Sequence, residues 1–228
     1  MKRVKSKIFI GQYDWHKVYE ALEDETIKTT IYDDLILSQM DIVKDKRILD
    51  YGCGPGIISH ALEEKEADID IFDINKRILK IARKRVLEKH IIYEADNISE
   101  NTYDLVLCNL VLCIVEDEEV PKILKNIYNA LKYKGIAYIG FCNPKIFKVR
   151  ETKLDIRHFT GEKYKDNHTY LKEKKEGGYL IPEKHRPTEW YIGMFIKAGF
   201  KVEKKFYTSP HFFKGKKIKD FVIFKLIK

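Results

Sequence analysis

Between Leu49 and Gly56 the chain reads LDYGCGPG, which puts three glycines within five residues. The stretch lies between an apolar run, Arg47–Tyr51, and a helix-like segment that begins with Ile57 and Ile58. No other segment limits the possible folds so strongly. Glycine adopts backbone conformations closed to other residues, and its bare backbone lets a ligand approach where a Cβ would collide. Placed after a strand and before a helix, such a turn belongs to an open α/β sheet. Its ligand sits beyond the carboxyl ends of the strands.

The rest of the chain fits that frame. RILDY (47–51), DIDIFD (68–73), HIIYE (90–94), YDLVLCNLVL (103–112) and GIAYIGFC (135–142) read as five strands separated by helical segments. Asn75 is placed to cap a helix whose buried face holds Leu79, Ala82 and Val86. Asp117, Glu118 and Glu119 put negative charge in the first turn of another helix, with Val120, Leu124, Ile127 and Leu131 as its buried stripe. Alternating strands and helices with short connections imply a parallel sheet covered on both faces. The alternation stops after Asn143–Pro144. About forty residues follow before a helix resumes near Pro187, a length that marks functional loops. Phe159, Tyr164, Tyr170 and Tyr179 argue against disorder there. Phe200–Tyr207 and Phe221–Ile227 read as two closing strands.

Two phosphate-binding readings of the glycine turn fail on the residues. The dinucleotide fingerprint wants a third glycine where Ile57 stands, and a P-loop wants G-K-[ST] where G-I-I follows. The turn is instead G-x-G-x-G, at Gly52, Gly54 and Gly56, with Asp50 before it. This motif resembles motif I of the class I S-adenosylmethionine-dependent methyltransferases, in their small-molecule-like branch. Further matches follow in order. Asp73, with Ile74 beside it, ends the second strand where the family places an acid on the ribose hydroxyls. "EADN" is similar to the adenine contact, with the Asp96 side chain on the exocyclic amine and the Asn97 N–H on a ring nitrogen. "CNLVLCIVED" sits where the family closes around the methionine moiety, which brings in Asn109. "HRPTEWYIGMFIKAGF" is similar to the substrate-side helix. The resemblance covers 45–142 firmly and 185–227 less closely.

The resemblance implies a Rossmann-like α/β fold with a mostly parallel seven-stranded sheet and helices on both faces. It implies one domain over 1–228, a helical lid at 1–44 and a substrate-capping insertion at 143–187. The expected cofactor is S-adenosylmethionine, held by Asp50, Gly52, Gly54, Gly56, Asp73, Ile74, Asp96, Asn97 and Asn109. The reaction it implies is an in-line displacement that carries a methyl group to a small-molecule acceptor, for which alignment of the reacting atoms supplies most of the catalysis. Taken alone, Asp73 reads equally as a helix cap and Asp96 as an ordinary turn aspartate.

A general base is needed only where the acceptor must lose a proton. His158, His168 and His185 have the right chemistry, although the plainer reading of each is a surface or hydrogen-bonded loop residue. Arg186 is suited either to clamping a substrate carboxylate or phosphate or to pairing with Glu183 or Glu189. A helix opening at YDWHKVYE (13–20) and running to about residue 42 offers Tyr13, Trp15 and Tyr19 to the cofactor cleft or to the core.

Charge leaves a second reading open. Lysine and arginine exceed acids by 8, and residues 201–228 hold nine lysines against two acids. That excess suits nucleic acid or an acidic substrate, but lysine spread through every segment favours a solvated lysine-rich surface. The fourth strand lacks the [DN]-P-P-[YF] of amino-methylating nucleic-acid enzymes, and no Pro-Cys nucleophile is present. A non-catalytic cofactor-binding subunit is the third alternative. Four cysteines without C-x-x-C spacing argue against a zinc site or disulfide framework and suit a reducing cytoplasm. The basic start MKRVKSKIFIGQ has no apolar run of signal-peptide length, and no segment is long and apolar enough to span a membrane.

Overall fold

The computed structural model describes residues 9–11, 14–21, 32–40, 42–87 and 90–228. In chain order its strands are β1 (Arg47–Tyr51), β2 (Asp68–Phe72), β3 (Ile91–Ile92), β4 (Tyr103–Asn109), β5 (Leu131–Cys142), β6 (Asp155–His158), β7 (His168–Lys174), β8 (Leu180–His185), β9 (Lys201–Tyr207), β10 (His211–Phe213), β11 (Lys216–Ile218) and β12 (Phe221–Ile227). The helices are α1 (His16–Ala21), α2 (Asp34–Ser38), α3 (Ile57–Glu63), α4 (Lys76–Ala82), α5 (Val120–Ala130) and α6 (Thr188–Lys197).

Seven strands form one sheet in the order β3-β2-β1-β4-β5-β12-β9. Neighbours from β3 to β5 run parallel, and only β12 is reversed, antiparallel to both β5 and β9. β1, β4 and β12 are buried along most of their length, which is why they read as largely apolar runs, whereas β2 alternates as DIDIF even though four of its five residues are buried. Ile48, Leu49, Val106, Leu107, Ile139, Phe141, Ile223 and Phe224 are fully buried. On one face, Val120, Leu124 and Ile127 of α5 pack with Tyr191 and Phe195 of α6. On the other, Ile36 of α2, Ile58 and Leu62 of α3 and Leu79 and Ala82 of α4 form a second core. The mostly parallel sheet with helices on both faces is the expected architecture.

Local signals explain several boundaries. Asn75 caps α4, its side chain accepting from the Arg77 and Ile78 amides. The helix after the acidic run starts at Val120, so Asp117–Glu119 precede it instead of forming its first turn. Glu119 is used as a turn acceptor from the Glu116 amide, and Asp117 pairs with Arg186. Leu131, expected at the end of α5, opens β5, and the intervening Lys134 takes a φ of +62°.

Two further β elements were not legible in the sequence. β6, β7 and β8 make a separate antiparallel sheet within the long segment after β5, and β10 pairs with β11 in a short hairpin. The small sheet is tied to the domain where the Lys184 amide donates to the Cys113 carbonyl at 2.7 Å. At the other end of the same strand, β8, the Ile10 amide donates to the Leu180 carbonyl at 2.8 Å. Of the long helix expected over 13–42, α1 and α2 are described. Tyr13 and the Tyr19 side chain lie outside the described residues. The lysines of the basic tail have a place too: β9 is an edge strand, and its Lys201, Lys204 and Lys205 are exposed. Charge on an edge strand keeps it from pairing with other chains.

Candidate active site

The glycine turn leaves β1 and enters α3. Gly52, Gly54 and Gly56 all have positive φ, at +81°, +56° and +80°. Two of them illustrate different demands. A Cβ on Gly52 would lie 2.3 Å from Cγ2 of Val111, so the loop beyond β4 occupies that space. A Cβ on Gly54 would meet nothing within 4 Å among the described residues, and Gly54 lines an open cleft. Backbone bonds fix the turn: the Gly52 and Cys53 amides donate to the Phe72 carbonyl at 2.7 and 3.0 Å. Asp73 completes it, accepting from Gly54 N at 3.1 Å and Asn75 N at 2.8 Å. Burial pushes the Asp73 carboxyl up, and those two amides oppose the shift. Beneath the turn, buried Asp50 accepts from Ser59 Oγ at 2.6 Å.

The cleft encloses about 360 Å³ and runs from the glycine turn to the β6–β7–β8 sheet. Asp50, Gly52, Gly54, Asp73, Ile74 and Asn109 line it. Gly56 sits behind the turn at the start of α3, with Ala82 3.2 Å from where its Cβ would be. Asp96 and Asn97 do not line the cleft; Ala95 of the same turn does. The Asn97 amide expected to meet adenine donates to the Glu94 carbonyl at 3.0 Å, and both side chains are exposed. Asn109 ends β4 and accepts from Tyr32 Oη at 2.9 Å, while its own Nδ2 is buried with no partner among the described residues. Trp15 lines the rim and packs edge-on to Tyr179 at 6.4 Å.

The four weaker catalytic candidates are outside this cleft. His158 is exposed, 3.5 Å from Glu173. His168 contacts the Asp166 carbonyl at 2.9 Å and sits among Phe147, Phe159 and Tyr170. His185 is buried, with Nε2 2.9 Å from the Tyr164 carbonyl, and burial lowers its pKa. Arg186 is a tie between elements, pairing with neither Glu183 nor Glu189. Its guanidinium reaches Asp117 at 2.6 Å, the Leu112 and Val115 carbonyls and Tyr191 Oη.

The far wall carries polar residues that the sequence reading missed: Lys172, Lys174, Glu183 and Cys142. Lys172 Nζ pairs with Glu183 Oε2 and lies 3.2 Å from Cys142 Sγ. Burial acts against the Lys172 charge, but Cys142 and Glu183 outweigh it and push the ammonium's pKa up. Period-two burial through HTYLKEK and LIPEKH was the available signal, obscured because Lys172, Lys174 and Glu183 stand at buried positions.

Residues 48–135 match a family model described as a methyltransferase domain. Among curated proteins, a ubiquinone biosynthesis O-methyltransferase of Bordetella avium is 36% identical over 83 residues, covering 33% of this chain and 34% of that protein. Yeast protein arginine N-methyltransferase 1 is 37% identical over 51 residues, covering 22% of this chain and 15% of that protein. The chain thus spans about a third or less of these two relatives. Among solved structures, the Burkholderia thailandensis 1,6-didemethyltoxoflavin-N1-methyltransferase, with its substrate and S-adenosylhomocysteine bound, superposes with a TM-score of 0.58 at 13% identity. The match covers 94% of this chain and 83% of that one.

Proposed function

We propose that this chain, which has the class I S-adenosylmethionine-dependent methyltransferase fold and carries a methyltransferase domain at 48–135, uses its glycine-turn cleft to methylate a small-molecule acceptor with S-adenosylmethionine. One observation carries the reading. The open, positive-φ backbone at Gly54 lies beside the Asp73 carboxylate on a cleft that continues to a second, polar wall.

The residues present fit the cofactor. Gly54 leaves room for close approach of its methionine part, and each Asp73 oxygen keeps a lone pair for a ribose hydroxyl beyond the amide it already accepts. Ile74, Ile78 and Ala95 offer apolar surface for a flat base. Bound there, the cofactor supplies a methyl group on a positively charged sulfur that departs as a neutral thioether. The chain's own task is then to orient the acceptor and exclude water. Orientation is worth about 7–11 kcal/mol in favourable cases.

In this reading the small sheet within 143–187 caps the acceptor end through Tyr179 and Ile181, and Trp15 of the 1–44 segment contributes to a lid. The charged residues facing the acceptor end are buried inside the cleft, as befits a small acceptor better than a nucleic-acid strand. All four cysteines are free, which suits a reducing cytoplasm, and among the described residues no helix is long and apolar enough to cross a membrane.

Calorimetry with S-adenosylmethionine and S-adenosylhomocysteine tests the proposal on wild type and Asp73→Ala. Micromolar binding that weakens at least tenfold in the variant is expected. Folded wild-type protein that binds neither ligand would overturn the reading.

A further inference from the structure

The buried face of the β6–β7–β8 sheet inverts the ordinary pattern. Along β7, Leu171 is exposed while Tyr170, Lys172 and Lys174 are buried. β6 adds Asp155 and Arg157 to the buried side, and β8 adds Ile181, Glu183 and His185. Apolar residues at these positions would pack a small sheet with less desolvation, so stability alone does not account for the charges.

Most of these groups satisfy one another. Arg157 Nε lies 3.1 Å from Asp155 Oδ1. Glu183 accepts from Tyr170 Oη and Lys172 Nζ, and the Cys142 thiol lies 3.4 Å from it. Asp33 and Lys174 line the same end of the cleft and are each engaged. Lys172 differs from them. An ammonium has three N–H donors. Among the described residues its partners are Glu183 Oε2 and Cys142 Sγ, which leaves one N–H for the cleft that the side chain lines. Asn109 lines the cleft too, and its Nδ2, though buried, has no partner among the described residues. Both unfilled positions donate. A protonated amine would set N–H against N–H, whereas an oxygen anion can accept from them.

We infer that the methyl acceptor is a small organic oxygen acid, received through a carboxylate or phenolate oxygen by Lys172, with the Asn109 amide as a further donor. Tyr179, Phe221 and Trp15 provide aromatic surface along the cleft for its carbon skeleton. The inference rests on the cofactor reading, since it assigns the glycine-turn end to the cofactor and this end to the acceptor.

The test uses full-length protein loaded with S-adenosylhomocysteine and four probes of similar shape: benzoate, 4-nitrophenolate, benzamide and benzylamine. At least one of the two anions should bind tenfold or more tightly than benzamide and benzylamine, and the stronger anion identifies the oxygen. The double variant Lys172→Met/Glu183→Leu, which removes both charges together, should lose that preference and keep its affinity for S-adenosylhomocysteine within about twofold. Equal binding of all four probes, failure of both anions to bind, or a preference that survives the double variant overturns the inference. The wild-type comparison decides the matter even where the variant does not fold. Failure of wild type to take up S-adenosylhomocysteine is read in the loading step, and it sinks the cofactor reading separately.

Discussion

Tyr32 Oη donates to Asn109 Oδ1 at 2.9 Å over Gly140, and only the missing side chain of Gly140 permits the contact. A Cβ there would stand 1.8 Å from the tyrosine oxygen and 3.1 Å from Asn109 Oδ1. Gly140→Ala should therefore displace Tyr32, which is fully buried, from the floor of the cleft. The expected cost is about 1–3 kcal/mol, as for other overpacked core sites. Urea unfolding would show it, and Tyr32→Phe in the Gly140→Ala background should recover part of the loss. A Gly140→Ala protein as stable as wild type would contradict the packing described.

The glycine turn separates binding from folding. Gly54→Ala places its methyl in open cleft, so stability should fall only by the left-handed backbone cost of about 1–2 kcal/mol. Affinity for S-adenosylhomocysteine should drop at least tenfold. Gly52→Ala meets Val111 at 2.3 Å and should lose about 2–4 kcal/mol of stability from backbone and packing together. Thermal melts beside calorimetry on the two variants distinguish these effects.

Arg186 holds the loop after β4 to the start of α6. Arg186→Met keeps much of the volume but removes the donors to Asp117, Leu112 and Val115, and stability should fall by about 3 kcal/mol. A role in clamping the acceptor would instead leave stability alone and raise KM. Urea midpoints measured beside steady-state kinetics distinguish the two outcomes.

His185 predicts a pH dependence. Burial, with a smaller push from His168, holds its folded-state pKa below the ordinary histidine value, although the Tyr164 carbonyl opposes the shift. The unfolded imidazole titrates near pH 6.5. Between the two values the unfolded chain binds more protons, so stability falls as pH drops through about 6.5 and levels off below the folded-state pKa. Wild type should lose more Tm than His185→Phe between about pH 7.5 and pH 5.5. Parallel losses in the two proteins would remove His185 as the source.

Much of the sheet was readable because strands buried on both faces are largely apolar, as YDLVLCN and FVIFKLI are. Arg47–Tyr51 in the parallel half and the reversed strand Phe221–Ile227 are found where the apolar runs place them. Capping at Asn75 was readable because the side chain acts on amides two and three residues ahead. The glycine-turn end of the cleft was likewise local, since Asp50, the glycines and Asp73 surround a single turn. The far end was not. Lys172 and Glu183 meet across two strands of a small sheet, and both lie on a buried face where apolar residues are the norm. Charged residues at period two read as a solvated strand, and nothing local reports that the Cys142 end of β5 lies beneath them. Arg186 misled for a related reason: its partners Leu112, Val115 and Asp117 are some seventy residues earlier in the chain.

The reversed strand β12 also sets an order of assembly during synthesis. It lies between β5 and β9, so β9 has no sheet neighbour until Phe221–Ile227 has been made. The ribosome therefore releases β9 as an unpaired, lysine-studded strand that waits for the strand after it. Phe221 belongs to this late strand and also lines the cleft. A nascent chain can thus complete the β1–β5 half and its glycine turn early, while the cleft gains its Phe221 wall only when β12 threads into place.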